Sequence, residues 1–162
     1  MKKKCNICNK KFIEYLSLGN HPCADTFLKT KKLAKSLKKY PLIVGFCKCS
    51  HLTSIYGVPN HERYEKYDYS YTSDNSPVSQ SHFKNIASNL KENFKINKDT
   101  LVVEAGSNDG TFLKEVKKIT KAKVLGIDPS KNISLLAKKR KIKTLVSYFN
   151  YKTSIKIKKN MD

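Results

Sequence analysis

The chain has 162 residues, 39% of them hydrophobic and 28% charged, with 16 Phe and Tyr, a net charge of +20 and a pI near 9.8. This apolar content supports packed cores and argues against wholesale disorder, while the length allows one ordinary domain or two small ones. No run of 18 apolar residues and no apolar leader segment follows Met1, so a membrane protein is not expected and the cytoplasm is the expected location.

The positive charge raises nucleic acid as a partner, but only Arg63 and Arg140 among the 33 basic residues are arginines. The lysines are spread along the chain without an Arg and aromatic stripe, which reads as a solvated surface and argues against nucleic acid.

Residues 1–60 form a small, loop-rich module that needs a staple. Its turn signals are Gly19-Asn20, Pro22, Pro41 and Gly57; Leu42-Ile43-Val44 is strand-like, and Leu28, Leu33, Ala34 and Leu37 permit a short helix ending at Tyr40-Pro41. Cys5-x2-Cys8 and Cys47-x-Cys49 supply four thiolates for one tetrahedral zinc, closing the 38 residues between them. The second pair is one residue tighter than the usual knuckle, which leaves His51 as an alternative fourth ligand. A redox dithiol at Cys5 and Cys8 would need a thioredoxin-like strand and helix, and none is indicated.

Residues 61–80 are aromatic and polar, with Tyr64, Tyr67, Tyr69 and Tyr71 leading into Thr72-Ser73-Asp74-Asn75-Ser76-Pro77, and read as a connector facing a ligand. Residues 81–162 are expected to be the N-terminal part of a Rossmann-like α/β domain. Phe83, Ile86, Ala87, Leu90 and Phe94 recur at helical spacing. Strands follow at Leu101–Val103, Val124–Ile127 and Ile142–Val146, separated by helices carrying Phe112, Leu113, Val116 and Ile119, then Ile133, Leu136 and Ala137.

Glu104-Ala105-Gly106-Ser107-Asn108-Asp109-Gly110 lies where the first of these strands turns into a helix. Its two glycines allow close approach of a ligand, but a pyrophosphate site wants three glycines and no carboxylate. S-adenosylmethionine carries an ammonium and a sulfonium and no phosphate, so this acidic loop suits it. Asp128, ending the next strand 20 residues on, stands where a carboxylate can accept from ribose hydroxyls.

Taken in order, Cys5-x2-Cys8, Ser17-Leu18-Gly19-x2-Pro22, Tyr40-Pro41-Leu42, the second cysteine pair, Tyr69-x-Tyr71-Thr72-Ser73 and the loop from Glu104 to Gly110 resemble the zinc-containing sugar C-methyltransferases. The resemblance implies an N-terminal zinc-binding domain followed by an S-adenosylmethionine-dependent methyltransferase domain, with a nucleotide-activated keto-deoxysugar as substrate. It also implies that Gly106, Asn108 and Gly110 line the methionine part of the cofactor, Asp128 its ribose, and Phe149-Asn150 the adenine edge. The loop from Tyr69 to Ser73, with Tyr71, would approach cofactor or sugar.

In such enzymes a base removes a proton beside a keto group and the carbanion attacks the methyl group. That base is expected beyond Asp162, so no catalytic residue is assigned, and the sheet is expected to be incomplete. Two other readings follow: an inactive zinc- and cofactor-binding fragment needing a separately encoded C-terminal half, or a zinc-ribbon nucleic-acid-binding protein.

Overall fold

The computed structural model describes residues 4–66 and 69–159, so Tyr67 and the last three residues lie outside the described residues. The chain separates into two compact units, Met1–Tyr67 and Asp68–Asp162, dividing within the stretch expected to connect them.

The first unit is a three-stranded antiparallel sheet in the order β1-β2-β3, with β1 at Ile13–His21, β2 at Tyr40–Phe46 and β3 at Leu52–Ser54. Two short helices accompany it, α1 at Lys31–Lys35, capped by the Thr30 hydroxyl, and α2 at Asn60–Tyr64. Gly19-Asn20, expected as a turn, lies inside β1. The register shifts between Ser17 and Asn20 and Gly19 takes a φ of +82°, so the glycine forms an irregularity in a continuing strand. Tyr40-Pro41 likewise opens β2 instead of merely ending a helix, with Pro41 opposite Asn20.

This sheet buries little. All nine residues of β1 are exposed, and its buried cluster is Cys5, Phe12 and Cys47, with Cys8 and Ile55 packed against it. Three of these five contributors are cysteines, and a unit of this size with so few buried side chains needs a covalent or metal cross-link.

The second unit begins with α3 at Pro77–Asn93, where the Ser76 hydroxyl accepts from the Ser79 N–H and Pro77 occupies the first turn. A β/α alternation follows: β4 Leu101–Ala105, α4 Thr111–Thr120, β5 Lys123–Asp128, α5 Lys131–Lys139, β6 Thr144–Val146 and α6 Tyr151–Lys159. The strands are parallel in the order β4-β5-β6. The last strand is shorter than its apolar run suggests because Ile142 leaves the ladder to pack with Leu113 and Ala137, joined by Val102 and Val124. Phe83 on α3 meets Phe112 on α4 with ring centroids 5.8 Å apart.

This small parallel sheet with its helices is consistent with an incomplete methyltransferase-like domain, and the chain as a whole is mixed α/β. Among the described residues no helix is long and apolar enough to cross a membrane.

Candidate metal centre and glycine-loop site

In the first unit, two tight turns carry the cysteines. Cys5 N–H donates to Lys10 O at 2.8 Å and Asn9 N–H to Cys5 O at 2.9 Å, while Cys47 N–H donates to His51 O at 2.9 Å and Ser50 N–H to Cys47 O at 2.8 Å. Each turn closes through a residue in the left-handed region, Asn9 at φ +58° and Ser50 at φ +68°. The shorter spacing of the second pair is thus absorbed by a tighter turn of the same kind.

The result is one cluster in which the Cys5, Cys8, Cys47 and Cys49 sulfurs all lie within 4.8 Å of one another. Cys5 Sγ is 3.6 Å from Cys49 Sγ, and Cys8 Sγ is 3.3 Å from Cys47 Sγ. Four thiolates bound tetrahedrally at ~2.3 Å would sit about 3.8 Å apart, so the donor set and spacing fit zinc. His51 is not part of the cluster; its carbonyl closes the second turn and its ring lies 6.0 Å from that of Phe12.

Burial raises the Cys5 thiol, but the Cys8 and Ile7 backbone groups and the neighbouring thiols outweigh it and bring it down to about 7. At Cys49 the His51 backbone lowers the thiol, but Cys8, burial, Cys47 and Cys5 together push it up to about 12. Without a cation the site tolerates one thiolate far better than four.

In the second unit the glycine loop sits at the C-terminal end of β4. Gly106 and Gly110 both have positive φ, +74° and +76°. A side chain at Gly106 would meet open space, whereas one at Gly110 would come within 3.1 Å of Ile142. Gly106 is therefore the glycine that borders open space, and Gly110 serves close packing.

Gly126 on β5 is a third, unexpected glycine of the site. A Cβ there would lie 2.4 Å from Ser107 Oγ and 2.9 Å from Ser107 Cβ, so its bare backbone is what seats the loop. Gly126→Ala should destabilise the second unit by roughly 1–3 kcal/mol through this overlap, measurable by urea denaturation, with Ser107→Gly restoring much of the loss.

Four consecutive amides, three in the loop before α4 and one at its first residue, are already committed. Asn108 N–H donates to Asp128 Oδ2 at 2.9 Å, Asp109 N–H to Asn108 Oδ1 at 2.8 Å, Gly110 N–H to Ser107 O at 3.0 Å and Thr111 N–H to Asp109 Oδ1 at 3.2 Å. Asp128 also accepts from Ser130 N–H through Oδ1 at 2.9 Å.

Asp109, expected beside a cofactor, is 0% exposed. Its carboxylate takes the Thr111 hydroxyl at 2.7 Å, the Asp74 N–H at 3.3 Å and Arg140 at 3.2 Å. Such a group organises the loop from within. Asn108 is similarly engaged: its Nδ2 donates to Tyr71 O at 3.0 Å and its Oδ1 accepts from Ser73 N–H at 3.1 Å. The structure thus brings the loop of Tyr69, Tyr71 and Ser73 against the glycine loop.

Glu104 differs from both. Its Oε2 is buried with no hydrogen-bond partner among the described residues, and burial, reinforced by the Asp109 and Asp128 charges, pushes the carboxyl up to about 7. Phe149 is exposed in the segment after β6, and the neighbouring Asn150 Oδ1 accepts from Thr153 N–H at 3.0 Å, capping α6.

A family model described as "Putative zinc binding domain" matches residues 5–63, which hold the whole cysteine cluster. The C-methyltransferase NovU of Streptomyces niveus is 27% identical over 148 residues, covering 90% of this chain and 34% of that protein. The chain is related to the zinc-containing C-methyltransferases. It spans about a third of the length of this relative. The relation reaches beyond the matched zinc domain into the second unit, because 148 aligned residues exceed the extent of the first.

Sequence reasoning did not single out Arg140, Asp74, Asn132 or Gly126. The available signal for Arg140 was its type, an isolated arginine in a chain whose cations are almost all lysines.

Proposed function

We propose that the chain supplies the zinc-binding and S-adenosylmethionine-binding parts of a C-methyltransferase acting on a nucleotide-activated keto-deoxysugar. The observation that carries this reading is the buried, unpartnered Oε2 of the half-buried Glu104, near Asp109 and Asp128 at the C-terminal end of a parallel strand. Ligands of open parallel sheets bind at that end. A carboxyl held there without a partner favours a ligand that brings positive charge, such as an amino acid ammonium.

The committed amides leading into α4 support the same choice. A Rossmann-like dinucleotide site offers free helix amides to a pyrophosphate, and here the amides from Asn108 to Thr111 face the protein's own acceptors. Asp128 remains suited to the ribose, since each of its oxygens accepts one backbone N–H and retains a further lone pair. Gly106 would admit the cofactor to its open side, and Phe149 would flank the adenine.

When bound, S-adenosylmethionine supplies an electrophilic methyl group on a sulfonium. The base that takes the sugar proton is assigned to none of the described residues and would come from a C-terminal part, in the same chain or separately encoded. Calorimetric titration of the zinc-loaded protein should give heat with S-adenosylmethionine and none with NADH. A folded, zinc-loaded protein that ignores S-adenosylmethionine would overturn the cofactor reading.

A further inference from the structure

The segment 69–76 is tied down within the second unit at five points. Asn132 Nδ2 donates to Tyr69 O at 2.7 Å, and Asn108 holds Tyr71 O and Ser73 N–H as described above. Asp74 N–H donates to Asp109 Oδ2, and Asp74 Oδ2 accepts from Arg140 Nη2. The other end of the same guanidinium reaches the glycine loop, where Arg140 Nη1 donates to Asp109 O at 3.0 Å and lies 3.2 Å from Asp109 Oδ2.

Arg140 therefore addresses two carboxylates on two different segments at once. A planar guanidinium fixes the directions of both pairings at once, which the freely rotating ammonium of a lysine does not. Asp109 is fully buried, Arg140 is 22% exposed and Asp74 is 38% exposed at their side chains. The inner half of the fork is thus fixed, while the outer half is open to water and is the half that can part. Asp74 also accepts from Gln80 Nε2 at 2.8 Å, which joins the segment to the start of α3. A cavity of about 210 Å³ beside this joint, lined by Asp74, Gln80, Thr111, Lys114, Glu115 and Arg140, leaves room for it to open.

We propose that residues 69–76 form a strap over the glycine loop and that Arg140 is the positioning residue that latches it through Asp74. Closure brings Tyr71 and Ser73 to the loop; opening admits and releases the ligand. The ligand-dependent part of this proposal rests on the S-adenosylmethionine reading, but the latch itself does not.

The test uses the full zinc-loaded chain with Asp74→Ala, which leaves the buried Arg140 and Asp109 pair intact, and Arg140→Lys, which keeps the charge and loses the fork. In ligand-free protein, hydrogen exchange of the amides in 69–76 should accelerate about tenfold or more in both variants while α4 and α5 keep their protection. The double variant should be no worse than Arg140→Lys alone, because the Asp74 contact is already lost there. The dissociation rate of S-adenosylmethionine should rise by a similar factor, with less effect on association.

Unchanged exchange of the strap in Asp74→Ala would overturn the latch. Loss of protection spread evenly over the second unit would overturn it too, because Arg140 would then be a staple of the fold. Should the parent protein bind no S-adenosylmethionine, the cofactor reading fails while the exchange measurement still decides the latch.

Discussion

Removal of zinc by a strong chelator, or Cys47→Ser, is expected to unfold residues 5–66 and leave the β/α unit folded. The sulfurs of Cys5, Cys8, Cys47 and Cys49 are drawn from turns about 40 residues apart, and among the described residues the only buried apolar side chain beside the cysteines in that core is Phe12. A structural zinc site of this kind contributes an apparent ~10 kcal/mol or more at neutral pH, which exceeds what so small a core provides. Circular dichroism should lose the part of the β signal that β1 to β3 contribute, and hydrogen exchange should localise the loss to the first unit, with about one zinc released per chain. Retention of exchange protection in β1 and β2 after complete zinc removal would show that the metal is dispensable.

Glu104→Gln is expected to stabilise the protein above neutrality and to weaken S-adenosylmethionine binding. The folded carboxyl titrates near 7 because it is buried beside Asp109 and Asp128, against 4.5 as its ordinary value. Between those values the folded state holds a proton that the unfolded state has lost, so stability falls as pH rises through this window. The cost is fully present above about 7 and absent below 4.5, and on this difference it amounts to about 3 kcal/mol.

Glutamine escapes that cost, so the variant should denature at higher urea than the parent at pH 8 and at nearly the same urea at pH 4. A cationic ligand moves the balance the other way. It favours the carboxylate, so its binding releases a proton and parental affinity should rise as pH increases through 7. The variant should bind on the order of tenfold more weakly or less, without that pH dependence. Equal stability of the two proteins at pH 8 would remove the basis for a strained carboxyl.

The β/α alternation from Leu101 to Val146 was legible because each strand and helix has its own apolar period, and tertiary packing did not override it. Strand β1 was not. Its nine residues are all exposed, so no buried face leaves an alternating pattern in Ile13 to His21, and Gly19-Asn20 imitates a turn. The cysteine spacings announced a metal centre, while the turn geometry at Asn9 and Ser50 that makes the uneven spacings equivalent is a backbone property.

In the glycine loop, residue types were legible and directions were not. Asn108 and Asp109 look like ligand contacts in sequence, yet their side chains are engaged by the strap and by Arg140. Arg140 and Asp74 meet across 66 positions, a pairing that no local pattern contains.

The committed amides leading into α4 carry one more consequence, for competition. Phosphorylated nucleotides are abundant rivals for any site shaped to accept an adenosine. A diphosphate arriving at this loop would find the Asn108 to Thr111 donors occupied and three acidic side chains nearby, so the loop would disfavour it whatever its base. Disfavour of this sort is built into the loop before any ligand arrives and needs no conformational response, and it acts by weakening the rival as well as by strengthening the preferred ligand.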